Sequence, residues 1–93
     1  MPSIDRKEIE KNVKEILAKE LGVKIENITL EKRLVEDLGM DSFASVELLF
    51  EMEDRLEIEI PEIDARQFRT VEDVIAYITS RIQLKNLKAD DQK

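Results

Sequence analysis

Apolar positions along the chain fall into three stripes with helical spacing. Ile9, Val13, Ile16, Leu17 and Leu21 recur every three or four residues, with charges between them. This predicts an amphipathic helix over residues 4–20. Ser3 is placed to cap its start and Gly22 to end it, because a serine oxygen accepts free first-turn amides and glycine tolerates the left-handed turn that closes a helix. Phe43, Val46, Leu49, Phe50, Met52 and Leu56 predict a second helix over 42–56 with a wide apolar face, capped by Asp41 or Ser42. Val71, Val74, Ile75, Ile78 and Ile82 share one face of a last helix over roughly 71–84, opened by the capping box Thr70-Val-Glu-Asp.

The connections carry their own patterns. Residues 22–40 form a long first loop in which Val23, Ile25, Ile28, Leu30 and Leu34 are too apolar to hang free and are expected to tuck under the helices. Residues 35–38 are expected to make a short turn before Gly39. Loops of this length inside compact domains are often functional. Residues 57–61, Glu-Ile-Glu-Ile-Pro, alternate like a strand, but no partner strand is evident. They read as an extended link whose Pro61 biases Ile60 away from helix. Residues 62–68 are expected to hold a short third helix, with Asp64 and Gln67 resembling a capping box. Residues 86–93 are polar and aperiodic and are expected to be a disordered tail. Three apolar stripes must bury against one another. The expectation is an all-α fold: a small four-helix bundle of three main helices and one short one, with a long loop after the first, in a single domain over residues 1–85.

Composition narrows the function. A chain of 93 residues supports one domain with a thin core, which favours work done at the surface. There is no cysteine and no histidine, which removes thiolate chemistry, disulfides, the commonest general base and the commonest metal ligand. An enzyme in its own right is therefore not expected. The chain has 22 acidic and 15 basic residues, a net charge of −7. That disfavours nucleic acid and anionic membranes as partners and favours basic proteins. No run approaches the roughly 20 apolar residues of a membrane span. The opening MPSIDRKEIE lacks an apolar core, so no secretory or transit leader is expected and the default compartment is the cytoplasm.

The charge is not spread evenly. Residues 35–64 hold eleven acids against one base, Arg55, and the rest of the chain is slightly basic. Such a block is commonly a solvated helix face, and it also steers basic partners. The fixed spacing of an EF-hand is absent, and no dedicated metal site is expected. Glu47, Glu51 and Asp54 read as exposed charge and not as an acid–base pair. Met52 reads as core.

The residues that bear on chemistry are Val-Glu-Asp-Leu-Gly-Met-Asp-Ser-Phe, 35–43. Gly39 permits a tight turn, and Asp41 and Ser42 open a helix. Gly, Asp and Ser are also ordinary turn and cap residues, so a purely structural role stays open on the residues alone. The same geometry presents a surface hydroxyl at the end of a helix where amides and the helix dipole favour anions. With no His, Cys or adjacent Lys to activate it, Ser42 looks like an acceptor of a group and not a catalyst.

Asp-Leu-Gly-Met-Asp-Ser-Phe resembles the phosphopantetheine attachment motif of acyl carrier proteins, usually D-L-G-x-D-S-L. Its flanks resemble that family in register: ELGVKIENITLEKRLVEDLG before it, then SVELLFEMEDRLEIEIP and TVEDVIAYI, so the likeness covers roughly residues 4–83. The resemblance implies a monomeric carrier whose Ser42 receives a covalent 4′-phosphopantetheine arm from coenzyme A through a separate phosphopantetheinyl transferase. The arm's thiol would hold acyl groups as thioesters for enzymes of fatty-acid or related specialised acyl biosynthesis. It implies that Asp41 helps place magnesium and coenzyme A during the transfer. Asp37, Glu47, Glu53 and Asp54 match acidic positions that dock on basic patches of partner enzymes, with Met40 and Val46 as apolar contacts beside the serine in that docking. Leu49, Phe50, Ile60 and Ile78 match positions that line an acyl-chain cavity.

Three departures stand out. Phe43 replaces the usual leucine, Ala44 replaces a frequent acid, and Ile63 and Arg66 make the short third helix less acidic. They leave the carrier role intact and leave open whether the partners belong to general fatty-acid synthesis or to a specialised pathway. An aminoacyl or peptidyl carrier, and a helical adaptor without a prosthetic group, are the alternatives.

Overall fold

The computed structural model describes residues 5–91. Four α-helices follow one another: α1 Arg6–Leu21, α2 Ser42–Leu56, α3 Glu62–Ala65 and α4 Val71–Asp91. Among the described residues there is no strand, only one isolated antiparallel bridge between Arg33 and Thr70. The expected all-α bundle of three main helices and one short helix is the observed architecture.

α1 forms because its apolar stripe repeats at helical spacing and both ends are closed. Ile9, Val13, Ile16 and Leu17 are its buried residues. Its N-cap is Asp5, whose carboxylate accepts the Glu8 N–H at 2.9 Å. The expected cap, Ser3, lies outside the described residues. Gly22 ends the helix as expected, with a φ of 68° and its N–H donated to the Ala18 carbonyl. α1 packs against both α2 and α4, so the core lies along its inner face. Leu48, Met52 and Leu56 supply α2's share of that core, and Val71, Val74, Ile75, Ile78 and Ile82 supply the share from α4.

The long loop is apolar for the reason its sequence suggested. Ile28, Leu34 and Leu38 are buried, whereas Ile25 stays largely exposed. A short 3-10 turn spans Ile25–Asn27. The loop is then fastened to the start of α4 by main-chain bonds. Leu34 N–H donates to the Arg69 carbonyl at 2.8 Å, and the Val71 and Glu72 N–H groups donate to the carbonyls of Lys32 and Leu30 at 3.0 Å each. The alternating link also behaves as read: Ile58 and Ile60 are buried and Glu59 is exposed, with no strand beside them.

The capping box of α4 is present, with an aspartate as its third-position acid. Asp73 N–H donates to Thr70 Oγ1 at 3.2 Å, and the Thr70 and Arg69 N–H groups donate to Asp73 Oδ2 at 3.1 and 2.9 Å. Three expectations need correction. α3 ends at Ala65, and Asp64 does not cap it, because its carboxylate instead accepts the Tyr77 hydroxyl at 2.6 Å. α4 runs to Asp91, past residue 84, because Leu, Lys and Ala sustain helix there and no Gly or Pro stops it. The wide apolar stripe assigned to α2 is really two faces. Leu48, Met52 and Leu56 are buried, while Phe43, Val46 and Phe50 are exposed.

Candidate functional site

The loop delivers the chain to α2 in a fixed pose. Arg33 N–H donates to Asp37 Oδ2 at 2.8 Å, and its guanidinium donates to the two oxygens of the same carboxylate at 3.1 and 3.2 Å. A charge-assisted, two-pronged contact of this kind holds both partners in one orientation. The Arg33 guanidinium, and then the Arg33 amide, hold the Asp37 carboxyl below the usual carboxylate range. The enclosed turn is closed by the Leu38 N–H on the Arg33 carbonyl and the Gly39 N–H on the Val35 carbonyl. Gly39 sits at a φ of 77°, a conformation that costs any residue with a Cβ. Met40 N–H then returns to the Leu34 carbonyl at 2.9 Å, and its half-buried side chain packs on the core.

Asp41 is extended, and its Oδ1 accepts the Ala44 N–H at 2.8 Å. This is the N-cap of α2, so Asp41 and not Ser42 performs the capping. Ser42 is thereby freed from that task. It is the first residue of α2, it is exposed, and among the described residues no hydrogen bond engages its hydroxyl. The hydroxyl therefore stands at the positive end of a 15-residue helix, open to another molecule.

A groove of about 550 Å³ opens beside it, between α2 and α3. Ser42 and Ser45 stand among its walls with Val46, Leu49, Phe50, Ile60 and Ala65, and Glu53, Glu62 and Arg66 add charge. Three of the four residues expected at an acyl-chain cavity, Leu49, Phe50 and Ile60, therefore meet along one groove that includes Ser42. Ile78, the fourth, lies in the interior and not along this groove. It is 0% exposed and belongs to the closed core. The space beside the serine is open to the surface between α2 and α3.

The expected docking acids divide into two kinds. Asp37 is held by Arg33, and half-buried Glu53 accepts the Ile60 N–H at 2.9 Å, tying α2 to the link before α3. Glu47 and Asp54 are exposed, and no ion pair engages either among the described residues. Val46 is exposed beside them. Among the described residues, no group of three or more carboxylates is gathered as a metal site, and no helix is long and apolar enough to cross a membrane.

Sequence reasoning missed Arg33, Ser45, Ala65 and Arg66. The i,i+4 spacing of Arg33 and Asp37 was the available signal for the first. The groove residues carried none, because α3 meets α2 only in three dimensions.

A short helical bundle that offers an unencumbered serine at a helix start, with an apolar channel alongside, has the form of a protein that is modified and then carries what it receives. The comparisons agree. The family model described as the phosphopantetheine attachment site matches residues 11–78. Acyl carrier proteins from three strains of Clostridium perfringens are each 46% identical over 71 residues, 76% of this chain and 93% of theirs. A solved structure from Mycobacterium tuberculosis, assigned as an acyl carrier protein, superposes with a TM-score of 0.69 at 34% identity, covering 73% of this chain and 90% of its own. The chain belongs to the acyl carrier protein family. Its cofactor is accordingly a covalent 4′-phosphopantetheine.

Proposed function

We propose that Ser42 is the attachment residue and that the protein carries acyl groups to partner enzymes of fatty-acid or a related specialised acyl biosynthesis without catalysing a reaction itself. The observation that carries this reading is the Ser42 hydroxyl, exposed at the start of α2 while Asp41 takes the capping role. In the transfer, a phosphopantetheinyl transferase removes the Ser42 proton. The serine oxygen forms a bond to the β-phosphorus of coenzyme A, and the bond from that phosphorus to the bridging oxygen breaks. Adenosine 3′,5′-bisphosphate leaves with those electrons. The chain has no histidine or cysteine, and among the described residues no hydrogen bond engages the Ser42 hydroxyl, so the base is assigned to the transferase. The arm supplies a terminal thiol on which acyl groups are held as thioesters.

The remaining residues have roles consistent with their placement. Asp41 keeps Oδ2 available toward magnesium while Oδ1 caps the helix. Glu47 and Asp54, with Met40 and Val46, form the face that meets basic partners. Leu49, Phe50 and Ile60 offer the arm and its cargo an apolar bed. The cytoplasm, where coenzyme A is made and used, suits this role.

Intact-mass measurement after incubation with coenzyme A, magnesium and a phosphopantetheinyl transferase tests the reading. A gain of one phosphopantetheine is expected for the native chain and none for Ser42→Ala. An unmodified native chain, or a modified Ser42→Ala, refutes it. Loading the modified protein with fatty acyl or amino acid donors then separates an acyl from an aminoacyl carrier.

A further inference from the structure

The groove beside Ser42 carries three charged side chains, and they are not equivalent. Glu53, Glu62 and Arg66 stand among its walls, and Arg66 is the one base of the set. Half-buried Glu53 accepts the Ile60 N–H at 2.9 Å, so its carboxylate is committed to the chain. Glu62 accepts from the Arg66 guanidinium at 3.2 Å, and the two side chains are 79% and 73% exposed. An ion pair so open to water contributes little and is readily exchanged for another. Arg66 is thus a cation under a weak tie, on the wall of the same groove as the serine.

Its place there follows from the path of the chain. The link after α2 is tied to Glu53 at Ile60, and α3 then spans only Glu62–Ala65. Arg66 closes α3 with its backbone still in the right-handed helical region. Residues four apart share a helix face, so Arg66 presents its guanidinium on the side that Glu62 occupies. Arg69, the next base along the chain, does not line the groove.

Modification of Ser42 places a phosphodiester, a single negative charge with two free oxygens, one short side chain away from the backbone of α2. A guanidinium offers a planar fork of N–H donors that fits two such oxygens at once. The serine fixes that anion more firmly than the long Glu62 side chain fixes its carboxylate, so less conformational freedom is lost when Arg66 turns to it. We propose that Arg66 holds the phosphodiester of the arm on Ser42 and thereby directs the arm along the groove toward Leu49 and Phe50. This rests on the carrier reading and adds which side chain positions the arm. Arg66 is also one of the positions at which the chain departs from the family's pattern, so the contact belongs to this chain and not to the family at large.

The test compares the native chain with Arg66→Gln, Arg66→Lys, Glu62→Gln and Arg69→Gln. Each is studied before and after complete modification by a phosphopantetheinyl transferase with coenzyme A and magnesium, verified by intact mass. Thermal melting establishes that the variants are folded. In NMR spectra of the native chain, the Arg66 Hε proton is expected to exchange with water about two- to fivefold more slowly after modification, the scale of an exposed ion pair, and this difference is expected to shrink at high salt. Glu62→Gln is expected to remove the protection before modification and to keep it afterwards. The phosphorus-31 resonance of the arm is expected to move in Arg66→Gln, to move less in Arg66→Lys and to keep its native position in Arg69→Gln. Equal Arg66 exchange rates before and after modification overturn the proposal. So does a phosphorus resonance that is the same in the native chain and Arg66→Gln, or one that Arg69→Gln moves as far, since charge at a distance would then account for it. A native chain that gains no arm at all defeats the carrier reading, and this proposal with it, so the two failures are distinct.

Discussion

Replacing Ile78 with alanine tests how closely the bundle's interior is packed around that side chain. Ile78 is 0% exposed and ranks among the largest fully buried side chains, in the same cluster as Met52 and Ile75. Truncating a buried isoleucine loses the transfer energy of three carbons and leaves a cavity that closely packed neighbours fill only in part, costing about 2–5 kcal/mol. A domain of this size has about 5–15 kcal/mol in total. Each kcal/mol moves its melting temperature by about 4–8 °C. Taking 3 kcal/mol as the centre, Ile78→Ala is expected to lower Tm by about 12–24 °C in a melt followed by helical circular dichroism, with the urea m-value unchanged. Phe50→Ala is the contrast. With 64% of that side chain already in water, only roughly a third of the 1.5–3 kcal/mol of a fully buried ring is at stake, at most about 1 kcal/mol. An Ile78→Ala melt within about 4 °C of the native one would refute the assignment of Ile78 to a closed core.

Two further predictions concern titration. Tyr77 is the chain's sole tyrosine and there is no tryptophan, so its ultraviolet titration is read without interference. Burial, then the hydrogen bond it donates to Asp64, raises its pKa above 10.0, and Asp64→Asn is expected to bring the midpoint back down; a native midpoint at or below the ordinary value contradicts the latch between α3 and α4. The stabilising share of this raised group is complete below the unfolded value near pH 10 and disappears as pH climbs through the folded one. Asp37 has the opposite sign. Its folded pKa is depressed, so its contribution is present above the unfolded value of about 3.9 and is lost as pH falls through the folded one. Carboxyl carbon shifts followed by NMR are expected to show Asp37 titrating below the usual range and Arg33→Ala returning it there; an unchanged midpoint in that variant would separate Asp37 from Arg33.

The helices and the serine were legible because they depend on local rules. The spacing of Ile9, Val13, Ile16 and Leu17, the left-handed Gly22 and the Thr70–Asp73 box each act within a turn or two of chain. The faces of α2 were not legible. Its apolar residues are dense enough to support two stripes, and only the positions of α1 and α4 decide that Leu48, Met52 and Leu56 go inward. The same limit applies to Asp64, whose local pattern suggested a cap and whose partner, Tyr77, stands 13 residues away. Asp37 and Glu53 read as free acids in the sequence, yet each is committed to a bond within the chain.

The fastening of the first loop onto α4 is made of amides and carbonyls, at Leu30, Lys32, Leu34, Arg69, Val71 and Glu72. Every non-proline residue owns such groups, so the strength of this seam does not depend on which side chains stand outside it. Exposed positions such as Glu31 and Arg69 can therefore drift over evolution, or be rewritten by an engineer, while the serine keeps its address. The surface that partners read and the scaffold that holds the attachment point are free to evolve at different speeds.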